Sequence, residues 1–126
     1  MKATIFLSAL ALTASLYASG FEKDVKYRGF DVHLLSEKPL TVGNNDFVFS
    51  IKKGDVPVDA KEVKVKFFMP AMPSMPYMEA KADAKPEGDG KYDATVNISM
   101  RGTWQVHIFV TDKDDKKYRI KTSVNF

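Results

Sequence analysis

Residues Tyr92 to Val110 read YDATVNISMRGTWQVHIFV. Tyr92, Ala94, Val96, Ile98 and Met100 alternate with polar residues, and Trp104, Val106, Ile108 and Val110 repeat the pattern after a link at Arg101-Gly102. Successive strand side chains point to opposite faces, so a period of two marks half-buried strands, apolar inward and polar outward. No stretch of helical period competes with it. The same alternation runs in both directions: Phe30, Val32 and Leu34; Phe47, Phe49 and Ile51; Val63, Val65, Phe67 and Met69; and Tyr118, Ile120, Val124 and Phe126. A further strand fits Met78 to Ala82, giving about seven. Gly43-Asn44-Asn45-Asp46, Gly54-Asp55-Val56-Pro57, Pro86-Glu87-Gly88-Asp89-Gly90 and Asp112 to Lys116 carry the turn chemistry between them. Short strands separated by turns every 8–12 residues predict an all-β sandwich.

Ahead of the strands, Lys2 is followed by a charge-free, apolar and small-residue run that lasts until Glu22. That layout predicts a secretory signal peptide over 1–18, with a cut possible up to residue 20, and a mature domain over 21–126. The run is shorter than the roughly 20 apolar residues of a membrane helix, so no stable span is expected after cleavage, and the mature chain is expected in the periplasm. The chain has no Cys, so neither a disulfide nor a thiolate is available. Its 19 basic and 16 acidic residues are interspersed, which predicts no nucleic-acid partner. There is no G-x-S-x-G, no H-E-x-x-H and no Gly-rich phosphate loop, so no catalytic residues are assigned and an enzyme is not expected.

One segment breaks the strand pattern. Residues 69–78 read MPAMPSMPYM, with Met at 69, 72, 75 and 78 and Pro at 70, 73 and 76. Three prolines remove three backbone donors, and each pushes the Met before it toward extended geometry. Polyproline II repeats every three residues, which predicts a stiff ribbon with all four thioethers on one face, about 9 Å apart. Metal–sulfur bonds of about 2.3 Å cannot gather four such residues on one ion without a bend or a ligand from elsewhere. Thioether is a soft, neutral donor suited to Cu(I). The same residues also suit an apolar edge that fills irregular gaps, or a Met-rich partner surface. His33 and His107 oppose the apolar face of their strands and point outward, yet are the available imidazoles for such a site. Met100 has inward parity at a strand end and reads as core, as do Trp104, Phe30, Phe47, Phe49, Phe67 and Tyr92.

Phe67 to Met75 (FFMPAMPSM), the later Gly90-Lys91-Tyr92-Asp93-Ala94, and Met100-Arg101-Gly102-Thr103-Trp104-Gln105-Val106 occur in the order of the YtkA-like family pattern: a Met-Pro loop, a G-x-Y strand, then M-x-G-x-W-x-V. The chain resembles that family over about residues 25 to 126, and most of all its secreted copper-resistance determinants. The resemblance implies an immunoglobulin-like β-sandwich in the periplasm and a role in copper resistance and homeostasis. It implies Met69, Met72, Met75 and Met78 as the loop positions, two or three of which would hold Cu(I), with His33 as the imidazole beside the loop, and transfer to a copper efflux system or another periplasmic copper protein. Other members are linked to oxidase assembly, so an assembly accessory factor and a metal-free partner-binding module stand beside the copper reading.

Overall fold

The computed structural model describes residues 20–126; the expected signal peptide, 1–18, lies outside them. Nine strands occur in the described residues: β1 (Phe21–Tyr27), β2 (Phe30–Ser36), β3 (Gly43–Lys53), β4 (Val56–Pro57), β5 (Glu62–Met69), β6 (Met78–Gly88), β7 (Lys91–Ile98), β8 (Thr103–Thr111) and β9 (Lys117–Asn125). Every ladder between them is antiparallel, and they bond in the order β1-β2-β3-β7-β6-β5-β8-β9, with β4 paired to β3. The strands read from alternation all form. The two that the pattern did not mark are β1, which buries only Val25, and β4, which has two exposed residues.

The expected immunoglobulin-like sandwich of about seven strands is corrected to a nine-stranded, nearly closed barrel. Strand β6 is the reason. Met78 to Ala84 pair with β5, whereas Lys85, Pro86 and Gly88 pair with β7 across a bulge. One strand therefore belongs to both halves of the wall, and the wall has no break between two separate sheets. Pro86 to Gly88, read from composition as a loop, is the bulged end of this strand. Pro86 is in register with Tyr92, and Glu87 is the residue the bulge leaves outside the ladder. The barrel stays open between β1 and β9, which face each other without a backbone ladder; Lys23 Nζ crosses that seam to donate to the Ser123 carbonyl at 2.6 Å.

Inside, alternate residues of all the long strands meet. Trp104, Phe47, Phe49, Phe67, Leu34 and Ile51 are fully buried, and Phe47 stacks on Phe67 with ring centroids 5.3 Å apart. The link from β7 to β8 does not form a hairpin, since β6 and β5 lie between those two strands. It crosses one end of the barrel instead. Trp104 Nε1 donates to the Met100 carbonyl at 3.0 Å, and Gly102 and Phe126 exchange two backbone bonds, which fixes that crossing.

At the β4–β5 connection, Tyr92 reaches from β7 to hold an irregular segment. Its hydroxyl donates to the Val58 carbonyl at 2.6 Å and accepts from the Ala60 N–H at 2.8 Å. Tyr92→Phe leaves that buried N–H unpaired. It is expected to cost about 1–3 kcal/mol in urea unfolding; an unchanged midpoint would show that the segment is held by other contacts.

Candidate functional site

The Met-Pro run is not a straight ribbon. Met69, the last residue of β5, pairs with Met78, the first of β6. Beyond them Met72 and Met75 exchange two backbone bonds, Met72 N–H to Met75 O at 2.8 Å and Met75 N–H to Met72 O at 2.9 Å. The run is a β-hairpin tip whose turn is Met72-Pro73-Ser74-Met75. Proline's fixed φ suits the second position of such a turn, where no donor is needed. Pro70 and Pro76 lack an N–H and lie in the stretch where the ladder is interrupted between its two Met pairs. The period of three thus acquires a different meaning. Folded about its centre, it sets Met72 opposite Met75 and Met69 opposite Met78.

This fold gathers some of the candidate residues and separates others. Met69, Met72 and Met75 line one apolar hollow of about 420 Å³, together with Pro70, Met100 and Gly102. Met69 is buried at 4 % exposure, whereas Met72 stands 53 % exposed. Met100 is the member that sequence reasoning assigned to the core. It is partly buried against the core but also opens on the hollow. Its signal was present in the M-x-G-x-W motif, where Met100 and Gly102 come as a pair. Gly102 has φ +143°, and a Cβ there would stand 2.7 Å from the Met69 methyl. Met78 is absent from the lining, and its sulfur accepts a bond from Ser99 Oγ at 3.4 Å.

The histidines do not complete this site. His33 lies on β2, where Nδ1 meets Asp24 Oδ1 at 2.6 Å and Nε2 is 3.9 Å from Glu22. His107 lies on the outer face of β8, between Lys66 of β5 and Lys121 of β9. Its ring packs edge-on to Phe68 at 4.9 Å and to Phe109 at 6.0 Å. Neither histidine lines the hollow. Among the described residues no cluster of three or more His, Asp or Glu is placed to hold a metal. Parity puts both rings on the outer face of the barrel; β8 brings Thr103 and Gln105 to the hollow, while His107 packs on Phe68.

The hairpin's second leg is braced from outside. Tyr77 stacks on Phe68 with centroids 6.1 Å apart, and Lys66 lies over both rings at 5.1 and 5.9 Å. The Tyr77 hydroxyl donates to Glu79 at 3.0 Å. That bond, helped by Lys81 and Lys66, holds the Glu79 carboxyl below its ordinary value against the opposing effect of desolvation. Desolvation, then Arg119, Lys121 and Lys66, push His107 below the usual imidazole range. An imidazole depressed in the folded state binds a proton more readily when unfolded. Its contribution favours folding above the unfolded value of about 6.5 and is lost as pH falls through the folded one. The drop in unfolding midpoint from pH 7.5 to 5.5 is expected to be smaller in His107→Gln than in the parent. Equal drops in both proteins would contradict the assigned environment.

Gly102 gives a second prediction. Gly102→Ala places a methyl against the Met69 methyl at a φ that side chains rarely adopt. It is expected to cost about 1–3 kcal/mol and to move the Met69 methyl resonance; neither change would be seen if the crossing were loose.

Comparisons place these features. No curated protein is significantly similar to this chain. A crystal structure of a DUF4426 family protein from Pseudomonas aeruginosa PAO1 superposes with a TM-score of 0.55 at 14% identity, covering 83% of this chain and 94% of that one. At that identity it supports the fold alone. The YtkA-like family profile matches residues 24–109, which include β5, the Met-Pro hairpin and nearly all of β8. With its Met-Pro tip, its G-x-Y strand and its M-x-G-x-W crossing in that order, the chain belongs to the YtkA-like family.

Proposed function

We propose that the protein is a partner-binding module that works without metal, acts outside the cytoplasm after loss of its leader, and docks through the Met-Pro hairpin tip. The observation that carries this reading is the tip itself. Met72, at 53 % exposure, lines an apolar hollow and Tyr77, at 46 %, stands on the hairpin's second leg, on a backbone held by the Met72–Met75 bonds and three prolines. A preordered apolar edge loses little conformational freedom on binding. Unbranched, polarisable thioethers adapt to an irregular partner surface. The partner's matching surface is an apolar groove, because the tip offers it few free N–H groups. Among the described residues no helix is long and apolar enough to cross a membrane. The same tip would serve an accessory factor in oxidase assembly.

A second reading is favoured by one specific observation. Met69, Met72, Met75 and Met100 open on one hollow, which Arg101, Thr103 and Gln105 also line. Thioethers alone suit Cu(I), and a neutral, weak donor set suits transfer to an efflux system or another periplasmic copper protein. This reading needs no histidine.

Leu and Ser substitutions separate the two. Leu keeps apolar volume and removes sulfur, whereas Ser removes both. For docking, a strain carrying Met69→Leu, Met72→Leu, Met75→Leu and Met100→Leu is expected to keep function, and Met72→Ser with Met75→Ser to lose it. Cu(I) competition titration of purified protein is then expected to show no difference between parent and the Leu variant. One tight equivalent that the Leu variant loses, together with copper sensitivity of that strain, would overturn docking in favour of the copper reading.

A further inference from the structure

Around the β1–β9 seam the surface is segregated by charge. Over the whole chain 19 basic residues nearly balance 16 acidic ones, so a cleft of mixed sign is the ordinary expectation. Four cations elsewhere find carboxylates, Lys61 with Asp115, Lys66 and Lys81 with Glu79, and Lys113 with Asp59. Lys26, Lys38, Lys52 and Lys64 among others form no ion pair among the described residues, so what marks the seam cleft is the gathering of cations in one place. The seam cleft, of about 360 Å³, is lined by Arg28, Lys53, Lys117, Arg119 and Lys121, and by no Asp or Glu. None of those five cations is in an ion pair among the described residues.

Aromatic faces hold two of the cations. Phe30 and Tyr118 meet edge-on at 5.1 Å and form a floor. Lys53 Nζ lies over both, 5.4 Å from the Phe30 centroid and 4.9 Å from that of Tyr118. Arg28 lies over Tyr27 at 5.3 Å. A ring attracts a cation without neutralising it, so the cleft keeps its positive field. The cleft forms because the barrel does not close by a ladder here. The β1–β2 turn, with Arg28 at φ 50° and Gly29 at φ 85°, sets Arg28 at one wall, and β9 supplies the other.

We propose that this seam cleft binds a small polyvalent phosphate, either free in solution or presented by a lipid headgroup. Guanidinium forks bond phosphate oxygens in pairs, ammonium groups add point charge, and a ligand of several negative charges meets five like charges gathered in one cleft. The rings are already covered by cations and position them, so the ligand needs no aromatic part. The cleft volume lies at the small end of ligand pockets, which suits a phosphate oligomer or a headgroup. The site is independent of the hairpin tip.

Calorimetric titration of the mature protein with tripolyphosphate, at about 150 mM salt, tests the site. Flotation with phosphatidylcholine vesicles, with and without phosphatidic acid, tests the lipid source. The variant Lys53→Gln with Arg119→Gln alters two exposed side chains and is compared with Lys38→Gln with Lys85→Gln, which makes the same charge change away from the cleft. The expected result is saturable binding of one source, weakened at least about tenfold in the cleft variant and unchanged in the control. Tripolyphosphate binding alone assigns a free phosphate; flotation alone that depends on phosphatidic acid assigns a headgroup. Equal weakening in both variants, or binding of neither probe, overturns the proposal.

Discussion

Strand β6 bonds to β5 from Met78 to Ala84 and to β7 from Lys85 onward, and the rest of the molecule is arranged around that exchange of partners. Because one chain segment closes the gap between the two halves, their inner faces curve round a single core instead of stacking as two sheets. The bulge at Pro86–Gly88 supplies the local bend. The cost of ending the wall falls at the other side, between β1 and β9, where no ladder forms. Both candidate sites follow from this layout. The hairpin tip lies at the start of β6, and the cationic cleft lies at the unclosed seam.

Much of this was legible in the residues. Alternation located seven strands and the whole aromatic core, since burial on one face imposes a period of two whatever the neighbours are. What alternation does not encode is which strand pairs with which. An inward residue of β6 looks the same whether its partner is in β5 or β7, so the change at Lys85 was invisible and a sandwich was the expected outcome. Strands β1 and β4 were missed for a related reason. They are held by backbone pairing to β2 and β3 rather than by buried side chains, as the single buried residue of β1 shows.

Three prolines mark residues 69–78 as no central strand, but their spacing does not say where the run reverses. Proline keeps the residue before it extended, and Met69, Met72 and Met75 keep that geometry in their β-pairs; the chain reverses at Pro73-Ser74, between the reciprocal Met72–Met75 bonds. Folding then redistributes the thioethers. Met78 turns to Ser99, while Met100 joins from the β7–β8 crossing, a residue 25 positions beyond Met75 that only the tertiary fold brings near. The histidines obeyed the parity drawn from sequence and, for that reason, stayed on the outer surface. What the fold brings together is a hollow lined by four thioethers beside Arg101, Thr103 and Gln105.

The claim on which the functional account rests is that residues 69–78 fold back on themselves. Methyl-labelled methionine and amide NMR of the mature protein tests it most directly. The account predicts slowly exchanging amides at Met72 and Met75 with a cross-strand Overhauser contact between them, and a contact from the Met69 methyl to Gly102. Rapid amide exchange at both positions, with sequential contacts alone along the run, would describe an extended polyproline ribbon and would contradict both the hairpin tip and the shared hollow.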